Sequence, residues 1–187
     1  MNQPKTARLR NTLLVLAAVF VILAAGVRAQ EQKLGDLVKE YGFDWMIGKW
    51  MAETDEGWKI QVEYKWELDK HLVTSRFKMG EYESLSMIFY NSAQETVVQV
   101  GVDNRGGSSK GEWQGEADKA ILKSEYTGTD GETRKMGVVH SKVDADTMKV
   151  GVYRVEDTGE LAEEPWGELE YKRQKEQAPK KESGQSS

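Results

Sequence analysis

The sequence predicts an all-β fold, an antiparallel meander of about ten strands forming a barrel or half-barrel. Three observations lead there. Trp58, Ile60, Val62, Tyr64, Trp66 and Leu68 alternate without a miss with Lys59, Gln61, Glu63, Lys65 and Glu67. That period specifies a strand with one buried and one wet face. Weaker runs recur at strand-plus-turn spacing, parted by Asp55-Glu56-Gly57, Asn104-Arg105-Gly106-Gly107, Asp130-Gly131 and Asp157-Thr158-Gly159. Gly, Asn and Asp accept the positive φ of tight hairpins. No interval between runs is long enough for a crossover helix, so neighbours in sequence should pair antiparallel. Such a meander hides its edges best by closing on itself.

Residues 1–29 read as a secretory signal. Lys5, Arg8 and Arg10 give a positive start, residues 13–25 an apolar core, and Val27-Arg28-Ala29 a cleavage site with small residues at −3 and −1. The apolar run over 12–27 falls short of the ~20 residues that a membrane-spanning helix needs. The expected location is therefore secreted or periplasmic, with no membrane contact after cleavage. The alternative is a chain anchored by an uncleaved N-terminal helix. Sequencing the exported protein from its N-terminus is expected to start after Ala29, and a retained leader would overturn this reading.

Residues 30–42, polar with a spaced Leu34 and Leu37, suggest a short helical lead-in. The barrel should occupy 43–173, with strands near 49–54, 58–68, 71–79, 82–90, 96–103, 111–115, 119–126, 133–143, 147–155 and 166–173. Residues 174–187, rich in Lys, Glu, Gln and Ser, should form a disordered tail.

Composition narrows the function classes. Lys plus Arg is 26 and Asp plus Glu 31; four of the basic residues lie in the leader, so the mature balance is 22 against 31, or −9. That argues against a nucleic-acid partner. With no cysteine there is no disulfide framework, thiolate metal site or cysteine nucleophile. Two histidines, His71 and His140, make a multi-histidine metal centre hard to build. Neither a Gly-x-Ser-x-Gly elbow, a phosphate loop nor a His-Glu-x-x-His is present, so no catalytic residue is expected and the protein reads as a non-enzyme.

At Phe43-Asp44-Trp45-Met46-Ile47-Gly48-Lys49-Trp50 an apolar turn runs into Gly-x-Trp at the first strand. This entry resembles the lipocalin-like (calycin) barrels. Residues 66–73 and 87–91 resemble secreted bacterial lipocalin-like domains of unknown function, and the likeness spans about 40–173. The resemblance implies that Trp50, beside Gly48, packs across the closed barrel end under a late-strand basic residue, either Arg154 or Arg173. Nitrobindin-type barrels are more distantly similar and hold haem through a late-strand histidine. The longer glycine pattern those barrels carry is replaced here by Met51-Ala52-Glu53-Thr54.

Trp58, Tyr64 and Trp66 share the apolar face of the strongest strand, with Tyr82 and Tyr90 on another and Trp113 and Trp166 on later ones. His140 shares a face with Met136 and Val138. An inward aromatic lining suits a small hydrophobic or aromatic ligand touching Trp58, Tyr64, Trp66, Tyr90 and His140, and equally suits a solid core. The expected function is non-covalent binding of such a molecule. The alternatives are a structural or interaction domain of the cell envelope with a packed core and, less favoured, a haem-binding barrel using His140. Arg76 is expected on the surface.

Overall fold

The computed structural model describes residues 32–175; the signal segment 1–29 and most of the 174–187 tail lie outside the described residues. One short helix, α1 (Leu34–Glu40), precedes ten strands: β1 (Gly48–Glu53), β2 (Lys59–Glu67), β3 (Leu72–Met79), β4 (Tyr82–Asn91), β5 (Thr96–Asp103), β6 (Ser108–Glu116), β7 (Lys119–Thr127), β8 (Thr133–Lys142), β9 (Thr147–Arg154) and β10 (Gly167–Gln174). Every strand pairs antiparallel with its sequence neighbours, and β10 returns to β1, so the sheet is a closed barrel. Closure removes both edges of the meander. Among the described residues no helix is long and apolar enough to cross a membrane.

β6 is longer than its expected span of 111–115. Ser108, Ser109 and Lys110 carry no apolar alternation, yet they pair with Val102, Gly101 and Val100 on one side and with Thr127, Tyr126 and Glu125 on the other. Two flanking strands hold them extended where their own pattern is silent.

Register assigns the faces. Tyr64, Ser75, Ser86, Gly101 and Ser109 follow one another across β2 to β6 on the inside. Trp113, Leu122, Val138 and Val152 continue an inward row across β6 to β9. The inner wall of β3 to β6 thus carries several small residues, and it is tight there: a Cβ at Gly101 would overlap Ser86 Oγ. The outer face of β4 and β5 is apolar, with Leu85 opposite Val102 and Met87 opposite Val100, all exposed. Arg76 points outward and pairs with Glu83, as expected.

One barrel end is plugged. Trp50, 1% exposed, donates its indole N–H to Met46 O at 2.9 Å. The Arg173 guanidinium lies over the ring, 4.1 Å from its centroid. Between Arg154 and Arg173, the structure chooses Arg173. That side chain also donates to the carbonyls of Ile47 (2.8 Å), Trp45 (2.7 Å) and Ala145 (3.1 Å), binding the entry turn to the β8–β9 loop. Gly48 has φ +127°, and a Cβ there would sit 2.7 Å from Arg173 Nη1, so only glycine fits.

At the other end, Asp103 fixes the β5–β6 hairpin. Its carboxylate accepts the backbone N–H groups of Arg105 and Gly107 and the hydroxyls of Tyr126 (2.8 Å) and Tyr82 (3.3 Å). Outside the barrel, the segment between β9 and β10 folds back on β8, where Leu161 fills the place of a side chain at Gly137.

Candidate functional site

Helix α1 crosses the plugged end. It starts at the β2–β3 turn, where Lys33 pairs with Asp69 at 2.6 Å and Gly35 leaves room for the Lys70 side chain. The turn after it ends at β6, where Phe43 sits against Gly115. Leu34 and Val38, one helical turn apart, face the core, and Leu34 is buried.

Between this helix and the inner wall lies a cavity of about 570 Å³, within the usual range for a small-molecule site. Leu34, Leu37, Val38, Tyr41 and Phe43 form its roof; Val73, Ile88, Tyr90 and Val97 form the wall; Tyr64, Trp113 and Ala120 reach it from further round. Its polar groups are Gln32, Glu95, Thr96, Glu112 and Gln114. Thr96 has the outward parity of β5, and its buried hydroxyl has no hydrogen-bond partner.

Behind Tyr64 and Trp113 stands His140, 4% exposed. Its Nε2 is 3.0 Å from the Tyr64 hydroxyl, and its ring lies 5.2 Å from Trp113, centroid to centroid. Burial raises the Tyr64 hydroxyl well above the usual phenol range and pushes the imidazole down to about 4. Both groups are therefore neutral at pH 7, and the Tyr64 hydroxyl and Nε2 share one hydrogen bond whose direction the imidazole tautomer sets. The Ala120 backbone gives the charged ring weak support, but Nδ1 makes no hydrogen bond of good geometry. Trp113 donates its own indole N–H to Gln99 Oε1 at 3.0 Å.

The residues proposed from sequence part into three groups. Tyr64 and Tyr90 line the cavity. Trp66 and His140 face the barrel interior but do not line it. Trp58 precedes β2, is 58% exposed and packs beside Gly80 at the far end, and Trp166 is exposed too. The alternation carries Trp58 inward only if the strand extends to it, and pairing of β1 with β2 stops at Lys59.

Sequence reasoning missed the roof and the mouth. Leu34, Leu37 and Val38 have a legible i, i+3, i+4 spacing. Glu95 and Thr96, at a hairpin, and Glu112 and Gln114, of outward parity on β6, carry no signal. Among the described residues no three His, Cys, Asp or Glu side chains are grouped to hold a metal.

The group that a histidine-ligated barrel implies is haem, and the residues do not fit it. The Nε2 atom that would bond iron is engaged by Tyr64, and His140 lies outside the cavity lining. An iron would have to displace that hydrogen bond and the two aromatic side chains in front of it. In sequence comparison, no known protein family and no curated protein matches this chain.

Proposed function

We propose that the protein is an exported, lipocalin-like binding protein that holds a small hydrophobic or aromatic molecule, non-covalently, beneath helix α1. The cavity of about 570 Å³, apolar and aromatic on its roof and wall, is the observation that carries this reading. The Trp50–Arg173 plug supports the family likeness, since it places a late-strand arginine over the Gly-x-Trp indole. The binding is proposed to be without catalysis: the buried titratable pair is neutral and spent on its own hydrogen bond.

Tryptophan emission tests it, because Trp113 touches the cavity. In a panel of fatty acids, porphyrins and aromatic compounds, at least one is expected to shift the emission at micromolar concentration, and Trp113→Phe to abolish most of that shift. At a hundred times its Kd such a compound adds about 2.7 kcal/mol of stability, a rise of roughly 5–10 °C in Tm. Ferric haem, included in the panel, is expected to keep its free Soret spectrum with both the wild type and His140→Ala. If no compound moves emission or Tm well above micromolar, the carrier reading is lost. A second reading, an envelope interaction domain without a ligand, would then stand, favoured by the exposed apolar stripe of Leu85, Met87, Val100 and Val102.

A further inference from the structure

Three consecutive residues of the β2–β3 turn stand in the left-handed region: Leu68 at φ +47°, Asp69 at +50° and Lys70 at +66°. A residue with a Cβ is disfavoured there, and side-chain-bearing residues visit it singly rather than in runs. Strain of this kind persists where the surroundings impose it. The turn's own side chains do not hold it, since Leu68 is 71% exposed and the Asp69 carboxylate 87%. Pairing of Glu67 with Leu72 fixes the two ends, and His71 N–H donates to Leu68 O at 3.1 Å.

Helix α1 sits on this turn. Lys33 Nζ reaches Asp69 Oδ2 at 2.6 Å, an exposed pair that is worth little by itself. The closer contact is at Gly35, where a Cβ would lie 2.8 Å from Lys70 Cβ and 3.4 Å from Lys70 O. The helix is the movable partner. With seven residues and no side-chain N-cap, it is too short to persist without its contacts. Leu34 anchors it in the core, and Leu37 and Val38 face the cavity. Just beyond it Gly42, at φ +72° with open space where a Cβ would be, is free to rotate. The next residue, Phe43, is fixed against Gly115. Rotation at Gly42 lifts α1 from the turn and the cavity together and leaves the barrel in place.

We propose, resting on the binding reading above, that α1 is a lid over the cavity, hinged at Gly42 and loaded by the β2–β3 turn. Seated, the helix buries Leu34 and holds the turn left-handed. Lifted, it exposes Leu34 and lets the turn relax. The two effects oppose each other, so closure is shallow in the empty protein. A ligand beneath Leu37 and Val38 touches the roof only in the seated state and deepens closure.

Hydrogen exchange of the mature protein, followed by NMR, reads the lid. The amides of Tyr41 and Phe43 donate to Leu37 O (2.9 Å) and Val38 O (2.8 Å), and both bonds open when the short helix lifts. Amides of β9 report global unfolding, and α1 is read relative to them. Leu68→Gly removes a Cβ from the left-handed turn and leaves Lys33, Gly35 and Lys70 in place; it is expected to slow α1 exchange roughly fivefold. Gly35→Ala is expected to speed it roughly tenfold, although the higher helix propensity of alanine alone would slow it. Saturating decan-1-ol is expected to slow it roughly tenfold in the wild type. If Leu68→Gly leaves α1 exchange unchanged, or Gly35→Ala slows it, the turn does not load the helix and the proposal is overturned. If decan-1-ol shifts tryptophan emission yet leaves α1 exchange unchanged, the helix is not a lid and the cavity reading survives. If neither decan-1-ol nor any compound of the panel binds, the cavity reading fails and the lid with it.

Discussion

Trp50→Ala is expected to cost about 3–5 kcal/mol of folding stability, the range for removing a large aromatic from a core, and to lower Tm by roughly 10–15 °C. The ring is 1% exposed, so its removal leaves a void that its neighbours cannot fill without moving. It also removes the surface on which the Arg173 guanidinium lies. That guanidinium ties the carbonyls of Trp45, Ile47 and Ala145 together, so the entry turn and the β8–β9 loop should loosen with it. Phenylalanine, which restores part of the volume but not the N–H bond to Met46 O, should fall between. Trp58→Ala is the control: an indole 58% exposed at the far end should cost under about 1 kcal/mol. Thermal unfolding followed by circular dichroism checks the series. Trp50→Ala melting within about 3 °C of the wild type would show that the plug does not hold this barrel end.

The second large effect is in pH. Burial sets the His140 imidazole at about 4, below its ordinary 6.5. The unfolded chain therefore takes up the proton first as pH falls. Stability from the neutral ring is complete above about pH 6.5, declines between 6.5 and 4, and is fully lost below. The shift corresponds to about 3 kcal/mol across that window. Carboxylates titrate in the same range, so the measurable quantity is a difference. In urea unfolding, the stability of the wild type relative to His140→Gln is expected to fall by about that amount from pH 7 to pH 4. A difference that stays flat would mean that the imidazole is protonated, or exposed, in the folded protein. In the folded protein the ring takes up its proton only near pH 4, so the contact between His140 and Tyr64, a wall residue of the cavity, and with it ligand retention, should be unchanged between pH 7 and about pH 5.

Much of this molecule was legible in the chain. The unbroken alternation from Ile60 to Trp66 fixed strand β2 and its inward face, because a pleated strand turns successive side chains to opposite sides. Gly and Asp turns marked most of the hairpins, and short intervals between strands made the meander antiparallel. The inward parity of Tyr64, Tyr90 and His140 could be read from their own strands. Local pattern suffices wherever one face of a strand is uniformly apolar.

It failed where the barrel itself decides. On β4 and β5 the apolar residues Leu85, Met87, Val100 and Val102 point outward, while Ser84, Ser86 and Gly101 point inward. A closed barrel has a fixed interior, and around Gly101 it is so tight that an added Cβ would overlap Ser86 Oγ. Trp58 carried the right parity and lies outside because pairing ends one residue after it. The choice of Arg173 over Arg154 depended on which strand end meets Trp50, which the β1–β10 register sets. The cavity shows the same dependence most strongly: Leu34 and Val38 on helix α1 and Val73, Ile88 and Val97 on separate strands come to line one space only when closure of the sheet and the crossing of the helix bring those distant segments together.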